Sequence, residues 1–449
     1  MGRDAFFAGL RRYFARHAFG NTVLADLLAE LEAASGRELT SWTEEWLQTA
    51  GVATLRPEVE VDAEGRLSSV VVVQTAAESH PTLRRHRLAV GCYDWDGDRL
   101  VRTHREELDV SGERTEVKGL VGLPRPALLL VNDDDLTFAK LRLDGHSLAT
   151  VTTSIGALAD SLPRALCWAA AWDMCRDGEL ATGDYLGLVL GGIGAETDIG
   201  VVQALLRQVV LAVRTYGDPA AREERLQRVA DAAVAGAHSA APGSDHQLAW
   251  VRALAGVART PEHLDLLAGL LSGERTLPGL AVDPELRWAL LVRLAATGRV
   301  DEEGIAAEAE RDPSAAGQRH AAAARAARPT AEAKAEAWRV VTEDEDVANA
   351  VQAATIAGFA QPDQPELLEP YADRYFAVVE RVWATRTSEM AQQVAVGLHP
   401  GLLPTRRVLE ATDAWLAATS APAALQRLVR EGRDGVVRAL RAQERDTRG

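Results

Sequence analysis

The chain of 449 residues is 47% apolar and 25% charged, the composition of a globular protein long enough for about two to four domains with real cores. Its net charge of −16, from 49 basic and 65 acidic residues, argues against a nucleic-acid binder, whose affinity needs basic patches. No apolar run reaches the roughly 18–20 residues that cross a bilayer, and Arg3, Asp4, Arg11 and Arg12 leave no long apolar core for a signal peptide, so neither membrane nor nucleic acid is an expected partner.

Residues 1–52 read as three helices. Phe6, Phe7, Leu10, Tyr13 and Phe14 recur at helical spacing on one face. Asn21 is a good cap for a helix from Thr22 to Ala34, which Gly36 terminates. Ser41 is the expected cap of a third helix that carries Trp42 and Trp46 one turn apart and ends at Gly51. These aromatic faces have few partners within the segment.

Residues 53–144 read as β. Val59 and Val61 alternate with Glu58, Glu60 and Asp62, the period of a half-buried strand. Leu67 leads into Val70–Val73 after a turn at Ala63–Arg66. Leu88–Tyr93 is followed by a turn over Asp94–Asp98, then by Arg99–Thr103 and Ala127–Val131. Short Val- and Leu-rich runs punctuated by Gly and Asp turns predict a small antiparallel sandwich. Asn132–Asp135 reads as a polar turn.

Residues 145–449 read as helix almost throughout, rich in Ala, Leu, Arg and Glu with Pro and Gly breaks at helix-length intervals. Asp283-Pro284 is a cap with Pro at the first helical position, and the amphipathic helix after it stops near Gly298. Many short helix pairs without a strict repeat period predict an α-solenoid-like helical array. Cys167 and Cys175, eight apart on one helix, stand about 12 Å from each other, too far to bridge. With Cys92 they make three cysteines in all, which fits a reducing, cytoplasmic setting.

The first segment carries a more specific mark. Asp4-Ala-Phe-Phe-Ala-Gly-Leu-Arg-Arg-Tyr-Phe14, then His17-Ala-Phe-Gly-Asn21-Thr22, Ser35-Gly36, Leu39, Trp42, Trp46 and Gly51 resemble the stretch that closes the catalytic domain in zinc aminopeptidases of the aminopeptidase N family. Further on, Asn132–Asp144 looks like the strand that leaves the sandwich in bacterial, actinobacterial-like members. Ala165–Trp168, Trp172–Gly178, Leu286–Trp288 and Tyr371–Trp383 with Arg386 and Glu389 look like landmarks of the family's helical domain. The resemblance implies a mainly α fold with a small all-β domain. The helical tail of a catalytic domain spans 1–52, a small β-sandwich 53–144, and the family's C-terminal helical domain 145–449.

It also implies chemistry that this sequence does not complete. The family's zinc is held by H-E-x-x-H on a helix, with two His one turn apart and the Glu as general base. No pair among the ten histidines here is four apart, the closest being His80 and His86. The Gly-x-Met-Glu-Asn loop that binds the substrate amine has no counterpart, and the only methionines are Met1, Met174 and Met390. No catalytic or metal-ligating residue carries over, and the chain is expected to bind no zinc and to be inactive alone, with zinc implied for the complete enzyme.

Other motifs have plainer readings. His17 follows an aromatic helix and reads as a packed helix-end residue, since function needs a convergent site. Gly145-His-Ser147-Leu-Ala149 resembles a nucleophile elbow, but helix rather than a parallel sheet follows it, so it reads as a strand-to-helix hinge. Asp94, Asp96, Gly97 and Asp98 look like the start of a calcium loop, yet position twelve is Arg105 and strands flank it, which favours a hairpin. Ser244-Asp245-His246 has triad residue types that three consecutive side chains cannot bring together, so it reads as a helix start. Arg374, Arg381 and Arg386 are candidates to line a substrate chamber and meet a peptide C-terminus. The plainer reading is a solvated face paired with Asp373 or Glu380.

Three functions follow. The first is the C-terminal portion of an aminopeptidase N-type enzyme, the roof and wall of a peptide chamber whose chemistry sits on a separate catalytic polypeptide, through truncation, a misplaced start at Met1 or a split gene. The second is a standalone helical module that binds a protein or peptide. The third is a hydrolase built on Ser147. The first is taken forward, because the opening helices look like the severed end of a domain.

Overall fold

The computed structural model describes residues 1–448. The chain falls into two compact units, residues 1–151 with 157–170, and residues 152–156 with the chain from Ala171 onward.

The first unit opens with three helices, α1 (Arg3–Arg16), α2 (Leu24–Ser35) and α3 (Thr40–Leu47). α1 and α2 come close because Gly9 has no side chain: a Cβ there would stand 2.9 Å from Leu31 Cδ2 and 3.1 Å from the Glu30 carbonyl oxygen. Buried Glu30 closes the contact, pairing with Arg12 at 2.9 Å and Arg16 at 2.8 Å. Gly36, at φ 64°, ends α2 as expected. The expected caps differ. α2 begins at Leu24 with Val23 at the cap, because the Asp26 carboxylate accepts the Val23 N–H at 2.9 Å, so Asn21 is not the cap. Ser41 lies inside α3, its hydroxyl accepting from Arg85 at 2.8 Å, and α3 stops at Leu47, short of Gly51.

Seven strands follow: β1 (Thr54–Val61), β2 (Leu67–Thr75), β3 (His86–Asp96), β4 (Arg99–Val110), β5 (Arg114–Glu116), β6 (Leu128–Asp133) and β7 (Lys140–Leu141). They form two sheets, ordered β5-β2-β1-β7 and β4-β3-β6. Leu55, Val70 and Val72 are buried on one sheet, while on the other Leu88–Tyr93 of β3 and all of β6 are buried without alternation, as in strands covered on both faces. One pair departs from the antiparallel expectation. β7 runs parallel to β1, with Thr54 opposite Lys140, after Asn132, Asp134 and Asp135 turn the chain with positive φ. The expected polar turn at Asn132–Asp135 is partly core, because Asn132 and Asp133 still belong to β6. Asp133 is buried and accepts the Tyr93 hydroxyl and Arg102 Nη1, both at 2.7 Å. The β3–β4 turn narrows to Gly97-Asp98, Asp96 pairing with Arg99.

The second unit is helical. The helices Ile199–Leu211, Asp245–Val257, Pro284–Ala296, Ala315–Ala327, Asn349–Phe359, Ser388–Gly397 and Ala423–Thr447 each pack on the next. The last packs back on Ala212–Tyr216, a wider turn continuing the first, so the expected curved array closes on itself. Helices such as Arg222–Ser239, Ala331–Thr342 and Pro365–Thr385 alternate with these in sequence and form a second layer. Ile199–Tyr216 is long and apolar enough to cross a membrane by length and composition, but Val202, Leu205, Leu206, Val209 and Val213 along it are buried within the unit, as in a core helix.

Helix starts follow the sequence, with Asp283 accepting the Leu286 N–H at 2.8 Å beside Pro284. Helix ends need more, because the last carbonyls of each helix lack intrahelical partners and many are buried here. Arg293 Nε donates to the Ala258 carbonyl at 2.6 Å, and Gln364 Nε2 to those of Ala296 and Ala327 at 2.8 and 2.9 Å. Lys334, 0% exposed, donates to the carbonyls of Ala326 and Phe359 at 2.8 and 3.1 Å. Asp446 on the last helix accepts the Gly183 N–H at 3.0 Å, the Asp218 N–H at 2.6 Å and a short bond from Arg225.

Two predictions follow from these buried groups. Burial on its own raises the Asp446 pKa, but Arg225 and the two N–H groups outweigh it and hold the carboxylate below its ordinary 3.8. Its stabilisation is therefore present above about pH 4 and lost as pH falls through the lowered value. Asp446→Ala leaves Arg225 unpaired and should lower the unfolding free energy by about 3 kcal/mol in urea titrations at pH 7. Asp434→Ala, an exposed partner of Arg438, should shift it by less than about 0.5 kcal/mol. For Lys334, burial pushes the ammonium from 10.5 down to about 7. Between those values the unfolded chain holds a proton that the folded chain has released, so stability rises with pH through that window. From pH 7 to 9 the wild type should gain about 2 kcal/mol relative to Lys334→Met. A wild-type-minus-variant difference that stays flat with pH would refute the neutral lysine.

Candidate functional site

The zinc implied by the resemblance does not fit the residues present. Among the described residues, no group of three or more His, Cys, Asp or Glu stands together to hold an ion. Individual histidines are tied into packing. His86 is buried, its Nε2 donating to Gln74 Oε1 at 3.0 Å and its Nδ1 meeting the Thr137 hydroxyl at 2.7 Å. Burial, then the charge of Arg84, pushes its pKa down to about 4. His17 caps the end of α1 beside Tyr13, with ring centroids 5.4 Å apart. That is the helix-end position expected of it.

The nucleophile reading of Ser147 fails on geometry. Ser147 starts the helix Gly145–Ser154 at 0% exposure. Its hydroxyl donates to Asp144 Oδ2 at 2.6 Å and accepts the Leu129 N–H at 2.9 Å. It ties the strand to the helix, the hinge that the sequence suggests. Asp94 and Asp96 are paired residues of β3 rather than a calcium loop. Ser244 caps the helix Asp245–Val257, accepting the Gln247 N–H at 3.2 Å.

Two features remain that an outside molecule can reach. On the first unit, Phe6, Phe7, Phe14, Phe19, Trp42 and Leu47 are all exposed, Phe14 at 66%. α1 buries only Gly9 fully. Isolated exposed apolar residues are ordinary, but three exposed phenylalanines on α1, a fourth in the turn after it and Trp42 on α3 mark an interaction surface.

On the second unit, the first-named series of helices lines two adjoining hollows. One, of about 500 Å³, is lined by Arg207, Arg214 and Arg252 together with Leu211 and Leu402. The other shares Arg214 and Arg252 and adds Arg293, Glu285 and His320. Arg214 and Arg293 flank the Asp363 carboxylate at 3.1 and 2.7 Å. Burial alone raises the Asp363 pKa, but the surrounding Arg214 and Arg293 charges hold it below the ordinary 3.8. Arg207 and Arg214 stand two turns apart on the continuous helix Ile199–Tyr216, but Arg252 and Arg293 come from other helices, and no local spacing links those to the first two.

The arginines that the sequence singled out lie elsewhere. Arg374 and Arg381 are exposed on the helix Pro365–Thr385, and Arg386 is its C-cap. The Arg374 guanidinium lies over the Tyr371 ring at 5.0 Å. None of the three lines either hollow. The local pairs expected for Asp373 and Glu380 also differ: Asp373 pairs with Arg407 at 2.7 Å, and Glu380 accepts from the Thr419 hydroxyl. Both carboxylates are drawn to neighbouring segments rather than to arginines on their own helix.

Comparison with known proteins gives three likenesses. Residues 128–438 match the family described as ERAP1-like C-terminal domain. Over 453 aligned positions, 99% of this chain and 53% of the relative, the sequence is 59% identical to Aminopeptidase N of Streptomyces lividans. Over 59 residues, 13% of this chain and 7% of the relative, it is 39% identical to Aminopeptidase N of Lactococcus lactis subsp. lactis. The chain thus spans about half the length of the Streptomyces relative.

Ser147 supplies the test for this site. A fluorophosphonate probe should leave the folded protein unlabelled. Ser147→Ala strips the Leu129 N–H of its acceptor and should lower stability by about 1–3 kcal/mol, read from the urea midpoint. Labelling of the native protein at Ser147 would restore the hydrolase reading.

Proposed function

We propose the following role for this chain, which belongs to the aminopeptidase N family and corresponds to the C-terminal part of an enzyme of that type: it forms the roof and wall of a peptide chamber and completes a catalytic half carried on another stretch of polypeptide. In this reading the complete assembly is a zinc enzyme that releases N-terminal residues from peptides. This chain supplies enclosure and substrate contacts rather than the reacting groups.

The exposed aromatic face of α1–α3 carries the proposal. Phe6, Phe7 and Phe14 are exposed on α1, which buries little of its own, and Phe19 is exposed in the turn that follows it. Covering such a face on association stabilises by roughly 25 cal/mol per Å² of apolar surface. The matched segment in α1–α3 is the one that resembles the end of a catalytic domain, so its natural cover is the rest of that domain. Arg374, Arg381 and Arg386 belong to this reading as cations that meet a peptide carboxylate, Arg374 and Arg381 from exposed positions and Arg386 from a half-buried one. Cys92, Cys167 and Cys175 are all free and buried, which supports a reducing, cytoplasmic setting.

The test is reconstitution. The pure chain with zinc should release no product from aminoacyl anilides. Mixed with the first half of the Streptomyces lividans enzyme, it should bind and give zinc-dependent release. The double variant Phe14→Ser, Phe19→Ser should weaken that association by at least about tenfold, since each exposed aromatic it removes carries ~1–3 kcal/mol of burial. Turnover by the chain alone would overturn the division of labour. Two halves that ignore each other would overturn the partner and favour a standalone module.

A further inference from the structure

The second unit holds positive charge that its own carboxylates leave unanswered. The chain is net −16, yet Arg207, Arg214 and Arg252 share one hollow, with Arg293 in the adjoining one. Among the described residues, neither Arg207 nor Arg252 forms an ion pair, and both are exposed to the hollow. Asp363 is the one carboxylate that meets Arg214 and Arg293, and it is shared between them. Arg214 Nε is buried with no hydrogen-bond partner, although its Nη2 donates to the Gly256 carbonyl at 2.9 Å. The Arg214 Nε is the buried donor among these groups, and a buried donor left unbonded is destabilising.

We infer that this hollow binds a phosphate monoester, its dianionic head held by Arg207, Arg214 and Arg252 and its organic part lying on the apolar wall formed by Leu211 and Leu402. Guanidinium groups present planar forks of donors, and three of them lining one hollow, two from successive turns of Ile199–Tyr216 and one from Asp245–Val257, match a tetrahedral oxyanion better than they match a single carboxylate. The charge count agrees. Arg207 and Arg252 carry two charges that no carboxylate answers, so a dianion matches those two where a monoanion leaves one over. Enclosure strengthens each contact relative to open water. Arg293 is a positioning residue: it holds Asp363, which in turn holds Arg214. The inference does not depend on the peptide chamber, and the isolated chain suffices to test it.

The experiment is isothermal titration of the pure chain with inorganic phosphate and with phenyl phosphate, at constant ionic strength, with chloride as the background anion. Both should bind, phenyl phosphate the more tightly. Arg207→Gln and Arg252→Gln, at exposed positions with no internal partner, should each weaken binding by about 10–100-fold without lowering the melting temperature. Arg374→Gln should leave binding unchanged. Benzoate or a free-acid peptide binding as tightly as phenyl phosphate would overturn the phosphate assignment in favour of a carboxylate. Absence of phosphate binding, or equal binding by the Arg207→Gln and Arg252→Gln variants, would overturn the site. Failure of the two-half reconstitution leaves this result untouched, so the two proposals fail separately.

Discussion

Buried helix ends expose carbonyl oxygens that must be bonded, and the helical unit is organised around that need. Every helix leaves its last carbonyls without intrahelical partners. In an array whose helix ends are buried, water cannot reach them all. Arg293 bonds the end of one helix from the next helix in the series, while Gln364 spans the ends of two. Lys334 joins the second of these, at Ala326, to the end of Asn349–Phe359. Each bond ties together segments that already pack through apolar faces, so polar satisfaction and core packing specify the same arrangement. Asp446 extends the same logic to backbone donors, drawing the last helix onto Gly183 and Asp218.

The same constraint gathers the arginines. Arg214 and Arg293 reach the carbonyls of Gly256 and Ala258, and both meet Asp363. Cations favour helix C-termini, where the aligned peptide dipoles place partial negative charge. A closed series of helices whose ends lie near one another therefore concentrates positive side chains there, even in an acidic chain. Bonding a helix end fixes Arg214 in the hollow that it shares with Arg207 and Arg252.

The first unit works differently. Its sandwich buries β6 throughout and β3 continuously from Leu88 to Tyr93, and Asp133 is satisfied by Tyr93 and Arg102. The helices before it bury less. Gly9 and Glu30 hold α1 to α2 by a close approach and an ion-pair cluster, but the aromatics on those helices remain exposed. A pair of helices held by a glycine contact and one buried carboxylate, with its largest apolar side chains facing outward, is built to be finished by something else.

Local chemistry was legible in the sequence. Period-2 alternation located β1, and the Asp283-Pro284 pair and Gly36 marked a helix start and a helix end where the structure has them, because each signal lies within one turn of the backbone it governs. The family likeness was legible for a similar reason: its marks are short, ordered segments such as Asp4–Phe14 and Trp172–Gly178. Where two local signals competed, the nearer hydrogen bond won, so Asp26 displaced Asn21 as the determinant of where α2 starts. What only the tertiary structure decided depends on residues far apart in sequence meeting in space. The closure of the helical series through Asp446, the burial of Lys334 and of Ser147, the pairing of Asp373 with Arg407 and the meeting of Arg252 with Arg207 and Arg214 in one hollow leave no trace in spacing or composition. A side chain's local context says what it can bond, but its partner is set by which helix end or charge the packing brings beside it.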